Sequence, residues 1–338
     1  MSDTAAPEAP APKRIYFLVE AMWACAWYRC HTPASGLKRR GHEVVLHDRL
    51  DPDTFQHCDI AVFQRPSISG IVDIVKWARA AGKRTIVDID DDLWNIHPTN
   101  PAYASWQQPG RLDTLNECIR TVDAVTVSTP ELMQLVRSMN PRTVILPNML
   151  PPEHWPPERV PRASKQRLTI GWAGSPTHAV DLEILAGAIE TVLDTYPDVE
   201  FVVAGMQEAP FRWHERIRFV ERVMIEEYPS LLQQFDIGVI PLVDGRFNRC
   251  KSDLKFLEYS MVGIPSVASK VAPYEGSVVH GVNGFLARNP KDWLKYLNRL
   301  VADPQLRDDI GSRAREFAET RTVDRNIHLW ERAYGISG

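Results

Sequence analysis

The stretch DIAVFQRPSISGIVDIVKWARAAGKRTIVDID, residues 59–90, joins two short apolar runs through an amphipathic segment. Residues 59–63 and 84–90 have the length and the Val/Ile content of buried strands, whereas residues 71–81 repeat their apolar side chains at helical spacing and stop at Gly82. A strand, a helix and a second strand in this order form a βαβ unit with parallel strands. The stretch therefore predicts an α/β fold.

The same alternation continues on both sides of this stretch. Short, nearly continuous apolar strands separated by helices indicate a parallel sheet that is covered on both faces. We therefore predict one Rossmann-like, doubly wound domain over residues 13–150. Its further predicted elements are strands at 14–20, 43–47, 124–128 and 143–147, a helix ending near Gly41 and a helix at 112–122.

A second set of elements follows a segment with five prolines, residues 151–167, which we interpret as a linker. This second set of elements predicts a second Rossmann-like domain over residues 168–320. We expect it to face the first domain across a cleft, where open α/β sheets bind ligands. Residues 321–338 are predicted to form a helix that packs back on the first domain, and residues 1–12 a disordered tail. The second domain's predicted elements are strands at 168–173, 199–204, 218–223, 237–242 and 264–269, and helices at 179–195 and 252–262.

Composition limits the possible partners of the chain. Of its 338 residues, 39 are basic and 43 acidic, and residues 1–160 and the remainder are each close to neutral. Bulk charge therefore does not favour non-specific binding to nucleic acid or anionic membranes. The five cysteines include no CxxC pair, which argues against a disulfide framework or a zinc site and favours reduced thiols in the cytoplasm. We expect no signal peptide and no transmembrane segment.

The strongest chemical signal is NRCKSDLKFLEYSMVGIP, residues 248–265. If residues 252–262 are helical, Lys251, Lys255 and Glu258 lie on one face. Together with Arg246 and Arg249, Lys251 surrounds the first turn of that helix, and such a turn binds anions well. Glu258 is placed to accept hydrogen bonds from the two hydroxyls of a ribose. The alternative is a solvated face of lysine and glutamate with no ligand.

Several motifs in the second half occur together in a fixed order. They are IGWAGSPTH at 170–178, VVAGM at 202–206, YPSLLQQFDIGVIPL at 228–242, KSDLKFLEYSMVGIPSVAS at 251–269 and HGVNGFLA at 280–287. With these motifs, residues 168–320 resemble the C-terminal domain of retaining glycosyltransferases of the large family four, the glycosyl transferases group 1, which have the GT-B fold. That fold is two Rossmann-like domains facing a cleft.

The resemblance implies roles for particular residues. Glu258 is expected to hold the donor ribose, and basic residues near the start of its helix the diphosphate. Arg249 and Lys251 are then the catalytic cations, while the turn at 171–175 lets backbone approach the donor. His178 is expected either to contact the donor or to pack at a helix start. The expected donor-binding residues are Gly174, Ser175, His178, Ser252, Lys255 and Glu258.

The sequence departs from the family pattern in two places. The family has a first glutamate eight residues before the position of Glu258, where this chain has Cys250. Because that glutamate usually orients the transferred sugar, its absence leaves the identity of the sugar open. The usual basic pair after the first strand of the domain is also missing. We infer that Arg249 and Lys251 carry more of the diphosphate charge, with help from Ser175.

Four carboxylates lie within VDIDDDLW, residues 87–94, at a predicted strand end. Such a cluster needs a cation, hydrogen-bond donors or solvent. One interpretation is the DxD metal motif of the other major glycosyltransferase fold. A second is that Asp90 or Asp91 acts at the acceptor hydroxyl or on the developing oxocarbenium charge, with Asp92 binding acceptor. The third is a helix N-cap and solvated turn formed by Asp88 and its neighbours.

An aromatic segment, AMWACAWYR at residues 21–29, follows the first predicted strand. Trp23, Trp27 and Arg29 are the types of side chain that stack on sugar rings or unstacked bases, and we assign them to acceptor binding. The alternative is that some of these aromatics belong to the core.

The sequence thus predicts a cytoplasmic glycosyltransferase that takes a nucleoside-diphosphate sugar, with a UDP-sugar as the expected donor, and that retains the anomeric configuration. No metal or other cofactor is expected. The acceptor is left open among a glycan, a protein side chain, a small molecule and a hydroxymethylated DNA base, as is the oligomeric state. The competing hypothesis is a non-catalytic protein that binds a nucleotide-sugar or nucleic acid with the same fold.

Overall fold

The computed structural model describes residues 11–22, 25–156, 167–208 and 210–336. The strands are β1 Arg14–Leu18, β2 Glu43–His47, β3 Ile60–Gln64, β4 Arg84–Ile89, β5 Ala124–Val127, β6 Thr143–Ile145, β7 Leu168–Ala173, β8 Val199–Ala204, β9 Ile217–Val220, β10 Ile237–Ile240, β11 Ser266–Ser269 and β12 Phe285–Ala287. The α-helices are α1 Thr32–Arg39, α2 Pro52–Phe55, α3 Ile71–Ala80, α4 Tyr103–Trp106, α5 Arg111–Thr121, α6 Pro130–Val136, α7 Ala179–Leu182, α8 Ala186–Thr195, α9 Tyr228–Leu232, α10 Arg246–Arg249, α11 Leu254–Met261, α12 Ala272–Glu275, α13 Pro290–Ala302, α14 Pro304–Thr320 and α15 Val323–Tyr334.

The first six strands form one sheet. Among the residues that the structure describes, it is six-stranded, entirely parallel and ordered β2-β1-β3-β4-β5-β6. Strand β3 is buried along its whole length, and only Arg84 of β4 is partly exposed. Burial on both faces explains why these strands are continuous apolar runs in the sequence. The strand order reverses between β1 and β3, which makes their carboxyl ends the topological switch point of this sheet.

The second sheet has the order β12-β11-β10-β7-β8-β9, again six parallel strands within the described part of the chain. Its switch point lies between β7 and β10, the first and fourth strands of this sheet in chain order. Trp172, Phe201 and Trp293 are fully buried in the core that covers it. Two doubly wound parallel sheets are the α/β fold class predicted from the sequence, which is confirmed.

The chain separates into two compact units. The first contains residues up to Asp90, then Pro109–Pro147 and Val323–Gly338; the second contains Asp91–Gln108 and Asn148–Thr322. Helix α15 packs on α1 within the first unit, where a Cβ built on Gly36 would lie 2.8 Å from Ile327 Cδ1. The sequence analysis assigned all of 13–150 to one domain, whereas residues 91–108 cluster with the second unit.

Some local predictions differ from the structure. The helix predicted over 252–262 begins at Leu254, because Asp253 is its N-cap residue and Arg246–Arg249 form the separate helix α10. The helix predicted over 179–195 is divided into α7, a 3₁₀ turn at Glu183–Leu185 and α8. Most of the predicted tail and linker, residues 1–10 and 157–166, lies outside the described residues.

Among the residues described here, no helix is both long enough and apolar enough to span a membrane.

Candidate active site

The switch point of the second sheet is formed by the turn after β7. Glycine is required at two adjoining positions, Gly174 in this turn and Gly205 directly after β8. A Cβ on Gly174 would lie 2.5 Å from the Trp172 ring, and Gly205, with φ +90°, would place a Cβ 2.0 Å from the carbonyl oxygen of Gly174. A side chain at Gly174 would displace the buried Trp172 ring, and one at Gly205 would displace backbone. The turn therefore presents main chain, without a side chain at Gly174, at the place where a doubly wound sheet binds its ligand.

Lys255 of α11 contacts the residues that begin this turn. Its partly buried ammonium donates to the carbonyl oxygen of Ala173 and lies 5.2 Å from the centroid of the Trp172 ring. Burial lowers the pKa of Lys255, and the carboxylate of Glu258 opposes that shift. Tyr259 completes the support, because its hydroxyl oxygen accepts from the amide of Ala173 at 2.8 Å. In the structure, Lys255 thus stabilises the conformation of the turn after β7.

Glu258 lies one turn further along α11. Its side chain is buried, and the hydroxyl of Tyr228 donates to Oε2 at 3.1 Å. Trp155 packs edge-on against Tyr228, with ring centroids 6.5 Å apart. A carboxylate has about four lone-pair sites, so one that accepts from the Tyr228 hydroxyl can also accept hydrogen bonds from a ligand. The sequence analysis did not identify Tyr228, because no spacing relates it to Glu258.

Arg249 and Lys251 have different surroundings, although the sequence analysis gave them the same task. Arg249 is 59% exposed at its side chain and pairs with Asp244 at 2.6 Å. Lys251 is partly buried: its ammonium lies 3.6 Å from Asp91 Oδ1 and 4.6 Å from the centroid of the Phe247 ring. The nearby Ser252 hydroxyl accepts from Asn148 Nδ2 at 2.8 Å. Arg249 is thus held at the surface by both oxygens of Asp244, whereas Lys251 is partly buried between a carboxylate and an aromatic ring.

His178 follows the same turn and is held by a carboxylate. Its Nδ1 lies 2.7 Å from Asp181 Oδ2, and its ring meets Trp172 edge to face. Burial lowers the pKa of His178; Asp181 opposes this shift, and Lys251 and Lys255 add to it. Ser175 shares a hydrogen bond with Thr177, with the two hydroxyl oxygens 2.6 Å apart. The sequence analysis missed Asp181, although its spacing of three residues from His178 was a usable signal.

The four predicted carboxylates have different hydrogen-bond and ion-pair partners. Asp88 is buried on β4 and receives two hydrogen bonds from Arg29, at 2.9 and 2.6 Å, and one from Thr126 at 2.6 Å. Asp90 pairs with Arg65 at 2.6 Å. Burial works against its ionisation, but the charges of Arg65 and Arg29 hold the pKa of Asp90 below its usual range.

Asp91 and Asp92 belong to the second unit. Asp91 faces Lys251, as described above. The carboxylate of Asp92 is buried, accepts from Asn95 Nδ2 at 2.8 and 2.9 Å and lies 4.0 Å from Cys250 Sγ. Burial raises the pKa of Asp92. The assignment of Asp92 to acceptor binding stays a prediction; in the structure its side chain is buried and both of its oxygens accept from Asn95.

Arg29, which was also assigned to acceptor binding, is buried in the structure. Its side chain is 1% exposed and, besides Asp88, bonds the carbonyl oxygen of Leu146 at 2.6 Å. The guanidinium is part of the core of the first unit. Trp27 lies in a π-helical turn, Trp27–His31, and stacks on His31 with centroids 5.7 Å apart. Trp23 lies outside the described residues.

A mixed-charge group at the switch point of the first sheet was missed by the sequence analysis. Arg65, just after β3, has φ +48° and pairs with Asp90 and, at 3.5 Å, with Glu20. Arg111 joins Glu20 at 2.5 Å and Ser67 at 3.0 Å. These side chains come from four separate segments, so no local motif marks them. Strained backbone at a strand end is a frequent mark of a functional site.

Comparison with known proteins identifies the second half of the chain. Residues 167–303 match the model of the family described as Glycosyl transferases group 1. Together with the fold, this match confirms the resemblance and the enzyme class, glycosyltransferase, inferred from the sequence. No functionally curated protein matches the chain.

Solved structures with the same fold are similar over nearly the whole chain. Sucrose-phosphate synthase from Thermosynechococcus elongatus has a TM-score of 0.68 and 14% identity, over 96% of this chain and 100% of that one. Anabaena HepE, solved with UDP and glucose, has a TM-score of 0.67 and 13% identity, over 97% and 100%. The catalytic domain of starch synthase IV from Arabidopsis thaliana, bound to ADP and acarbose, has 0.66 and 11%, over 96% and 99%. At these identities the likeness shows the GT-B fold alone.

Proposed function

We propose that this chain, a glycosyltransferase whose residues 167–303 match the group 1 family, transfers a sugar from a UDP-sugar to an acceptor hydroxyl with retention of configuration. The observation that carries the proposal is the arrangement around the turn after β7. It combines a partly exposed turn without a side chain at Gly174, a positioned cation at Lys251 and a buried carboxylate at Glu258 within one unit. A glycine turn lets the donor approach the main chain closely, a cation binds a diphosphate, and a carboxylate accepts hydrogen bonds from ribose hydroxyls.

The proposed chemistry depends on charge stabilisation. As the glycosidic bond breaks, negative charge grows on the diphosphate oxygen that leaves, and Lys251 stabilises it more strongly than it stabilises the bound donor. The departing phosphate oxygen takes the proton of the acceptor hydroxyl, which attacks from the same face of the sugar. The reaction then needs no separate strong base, and the positioning of the two substrates supplies much of the rate.

We assign acceptor binding to the first unit, at the carboxyl ends of β1 and β3. Asp90, Arg65, Glu20 and Arg111 there offer alternating donors and acceptors whose charges balance. A hydroxyl-rich, uncharged acceptor fits such a group better than an anion, because each guanidinium already faces a carboxylate. A glycan or a small sugar is therefore favoured over DNA. We place the enzyme in the cytoplasm, in keeping with five cysteines that form no disulfide.

A donor screen tests this proposal. UDP-, ADP-, GDP- and dTDP-sugars are added separately to the purified chain, and thermal stabilisation and release of the nucleoside diphosphate are measured without acceptor. We expect UDP-sugars to raise the midpoint of unfolding and at least one of them to be slowly hydrolysed. Stabilisation without hydrolysis or transfer for any donor would favour the competing hypothesis, a nucleotide-sugar binding protein. If only ADP-sugars stabilise the protein, the nucleotide base of the donor is adenine and not uracil.

A further inference from the structure

A histidine and an aspartate beside the donor turn form a unit that the proposed reaction does not use. His178 Nδ1 lies 2.7 Å from Asp181 Oδ2. Asp181 is itself buried, and its second oxygen accepts from the Val243 amide at 2.8 Å and from Asn248 Nδ2 at 3.2 Å. Both carboxylate oxygens are thus bonded. The segments they join follow β7 and β10, the two strands that flank the switch point of the second sheet.

This arrangement fixes the form of the imidazole. A carboxylate with two further donors on its other oxygen is an acceptor, so the hydrogen of the neutral His178 ring lies on Nδ1. The other nitrogen, Nε2, then carries a lone pair. The aspartate orients the ring, as the aspartate does in a catalytic triad, and leaves Nε2 as the position that gains or loses a proton.

Resting on the proposed function, we propose that His178 takes a proton from solvent at Nε2 when the donor diphosphate binds and donates it as a hydrogen bond to a phosphate oxygen, with Asp181 as the positioning residue. A neutral Nε2 would face the diphosphate with a lone pair, which is repulsive. A protonated Nε2 gives a charge-assisted hydrogen bond instead. His178 thereby supplies part of the positive charge that the missing basic pair of this turn would otherwise provide.

The surroundings of the ring explain why this proton is absent before the donor arrives. The charged groups that face His178 are Asp181 from its own segment, Lys251 from the loop before α11 and Lys255 from α11; Trp172 of β7 covers one edge. Burial and the two lysines keep the pKa of His178 low, against the effect of Asp181. A bound diphosphate adds negative charge at close range and raises that pKa.

The linkage has a definite sign. A group whose pKa rises on binding takes up protons as the complex forms, so affinity is greatest at low pH and falls as pH rises through the pKa of the bound state. Removal of the His178 imidazole should abolish this dependence. Because one charged hydrogen bond is lost as well, affinity for UDP should fall roughly tenfold to a hundredfold.

Isothermal titration of the full chain with UDP tests the proposal. Titrations at about pH 7, in buffers with different ionisation enthalpies, give the number of protons taken up per UDP bound. We expect net uptake in the wild type and less uptake in His178→Gln and Asp181→Asn. Free UDP ionises identically in every titration, so a difference in proton uptake between variants reports the changed site in the protein. His328→Gln, on the exposed face of α15, is the matched control and should take up protons like the wild type.

The outcomes separate the two proposals. If UDP binds to His178→Gln with the same proton uptake and affinity as to the wild type, the inference is wrong and the donor assignment stands. Reduced uptake in His328→Gln as great as in His178→Gln would also overturn it. If UDP does not bind to the wild type at all, the proposed donor is wrong and the role of His178 fails with it. Circular dichroism of each variant shows that the fold is retained.

Discussion

Glu258 is buried, although its proposed role requires a carboxylate that can accept hydrogen bonds from the donor ribose. A buried carboxylate is costly unless it is hydrogen-bonded, and the hydroxyl of Tyr228 donates one hydrogen bond to this side chain. The two ribose hydroxyls would donate two further hydrogen bonds to the Glu258 carboxylate. We therefore expect Glu258→Gln to weaken UDP binding by about 1.5–3 kcal/mol, or roughly tenfold to a hundredfold in Kd, measured by titration calorimetry.

The ribose contact can be isolated by changing the ligand. UDP that lacks the ribose 2′-hydroxyl should bind the wild type more weakly, whereas Glu258→Gln should discriminate less between the two nucleotides. Glu316→Gln, an exposed glutamate on α14, serves as the control. Equal discrimination by the wild type and by Glu258→Gln would remove this residue from the ribose site.

Lys251 and Arg249 illustrate what sequence spacing leaves undetermined. Both precede α11, and the sequence analysis gave them equal weight, but only Lys251 lies against Asp91 and the Phe247 ring. We expect Lys251→Ala to lower kcat more than it lowers donor affinity, because leaving-group charge is greatest in the transition state. Arg249→Ala, at an exposed pair, should have the smaller effect. Equal losses of kcat at saturating donor would restore Arg249 to the site.

At the scale of elements, the strands were the most predictable part of the chain. The predicted bounds of β2, β7 and β8 agree with the structure, because an apolar run with charged or glycine borders specifies both ends. The start of α11 was placed two residues early. Its N-cap, Asp253, is held by Arg321 at 3.0 Å, a contact 68 residues away along the chain that no local pattern contains.

The buried pair of Arg29 and Asp88 joins three elements of the first unit. Arg29 lies in the turn before α1, Asp88 on β4, and the carbonyl oxygen of Leu146 directly after β6. We expect Arg29→Met to reduce the free energy of unfolding by about 3–5 kcal/mol in urea denaturation, because it leaves a buried carboxylate without its counter-ion. Replacement of Asp88 as well, in Arg29→Met/Asp88→Leu, should recover part of that loss.

A surface pair provides the comparison for this prediction. Lys76 and Glu117 are both about half exposed, and Lys76→Met should change stability little. If Arg29→Met is as stable as Lys76→Met but no longer transfers sugar to acceptor, the guanidinium has the functional role that the sequence analysis gave it. The sequence could not decide this, because an arginine next to tryptophans has the same appearance in a core and at a binding surface.

At the scale of the whole molecule, the acidic segment shows why sequence neighbours are a poor guide to a site. Asp88, Asp90, Asp91 and Asp92 follow one another closely, but they pair with Arg29, Arg65, Lys251 and Asn95 respectively, and the boundary between the two units falls after Asp90. The partners come from four different segments of the chain. Only the fold determines which carboxylate serves which unit.

This division predicts that donor and acceptor chemistry can be impaired separately. We expect Asp90→Asn to lower transfer to acceptor while leaving Kd for UDP unchanged, because Asp90 pairs with Arg65 in the first unit and the donor groups belong to the second. Loss of the negative charge also leaves Arg65 less neutralised, so a charged acceptor should be affected differently from an uncharged one. Donor titration and acceptor turnover are measured on the same preparation.

Metal dependence distinguishes this assignment from a DxD site. If the carboxylates at 88–92 bound Mg²⁺ or Mn²⁺ to the diphosphate, EDTA would abolish activity and either ion would restore it. We expect activity to survive EDTA, because Lys251 and the turn after β7 supply the positive charge and N–H groups that a metal would otherwise provide. Activity that is lost with EDTA and regained with Mn²⁺, together with a large loss of donor affinity in Asp90→Asn, would contradict this assignment. The acidic segment would then bind the donor and not the acceptor.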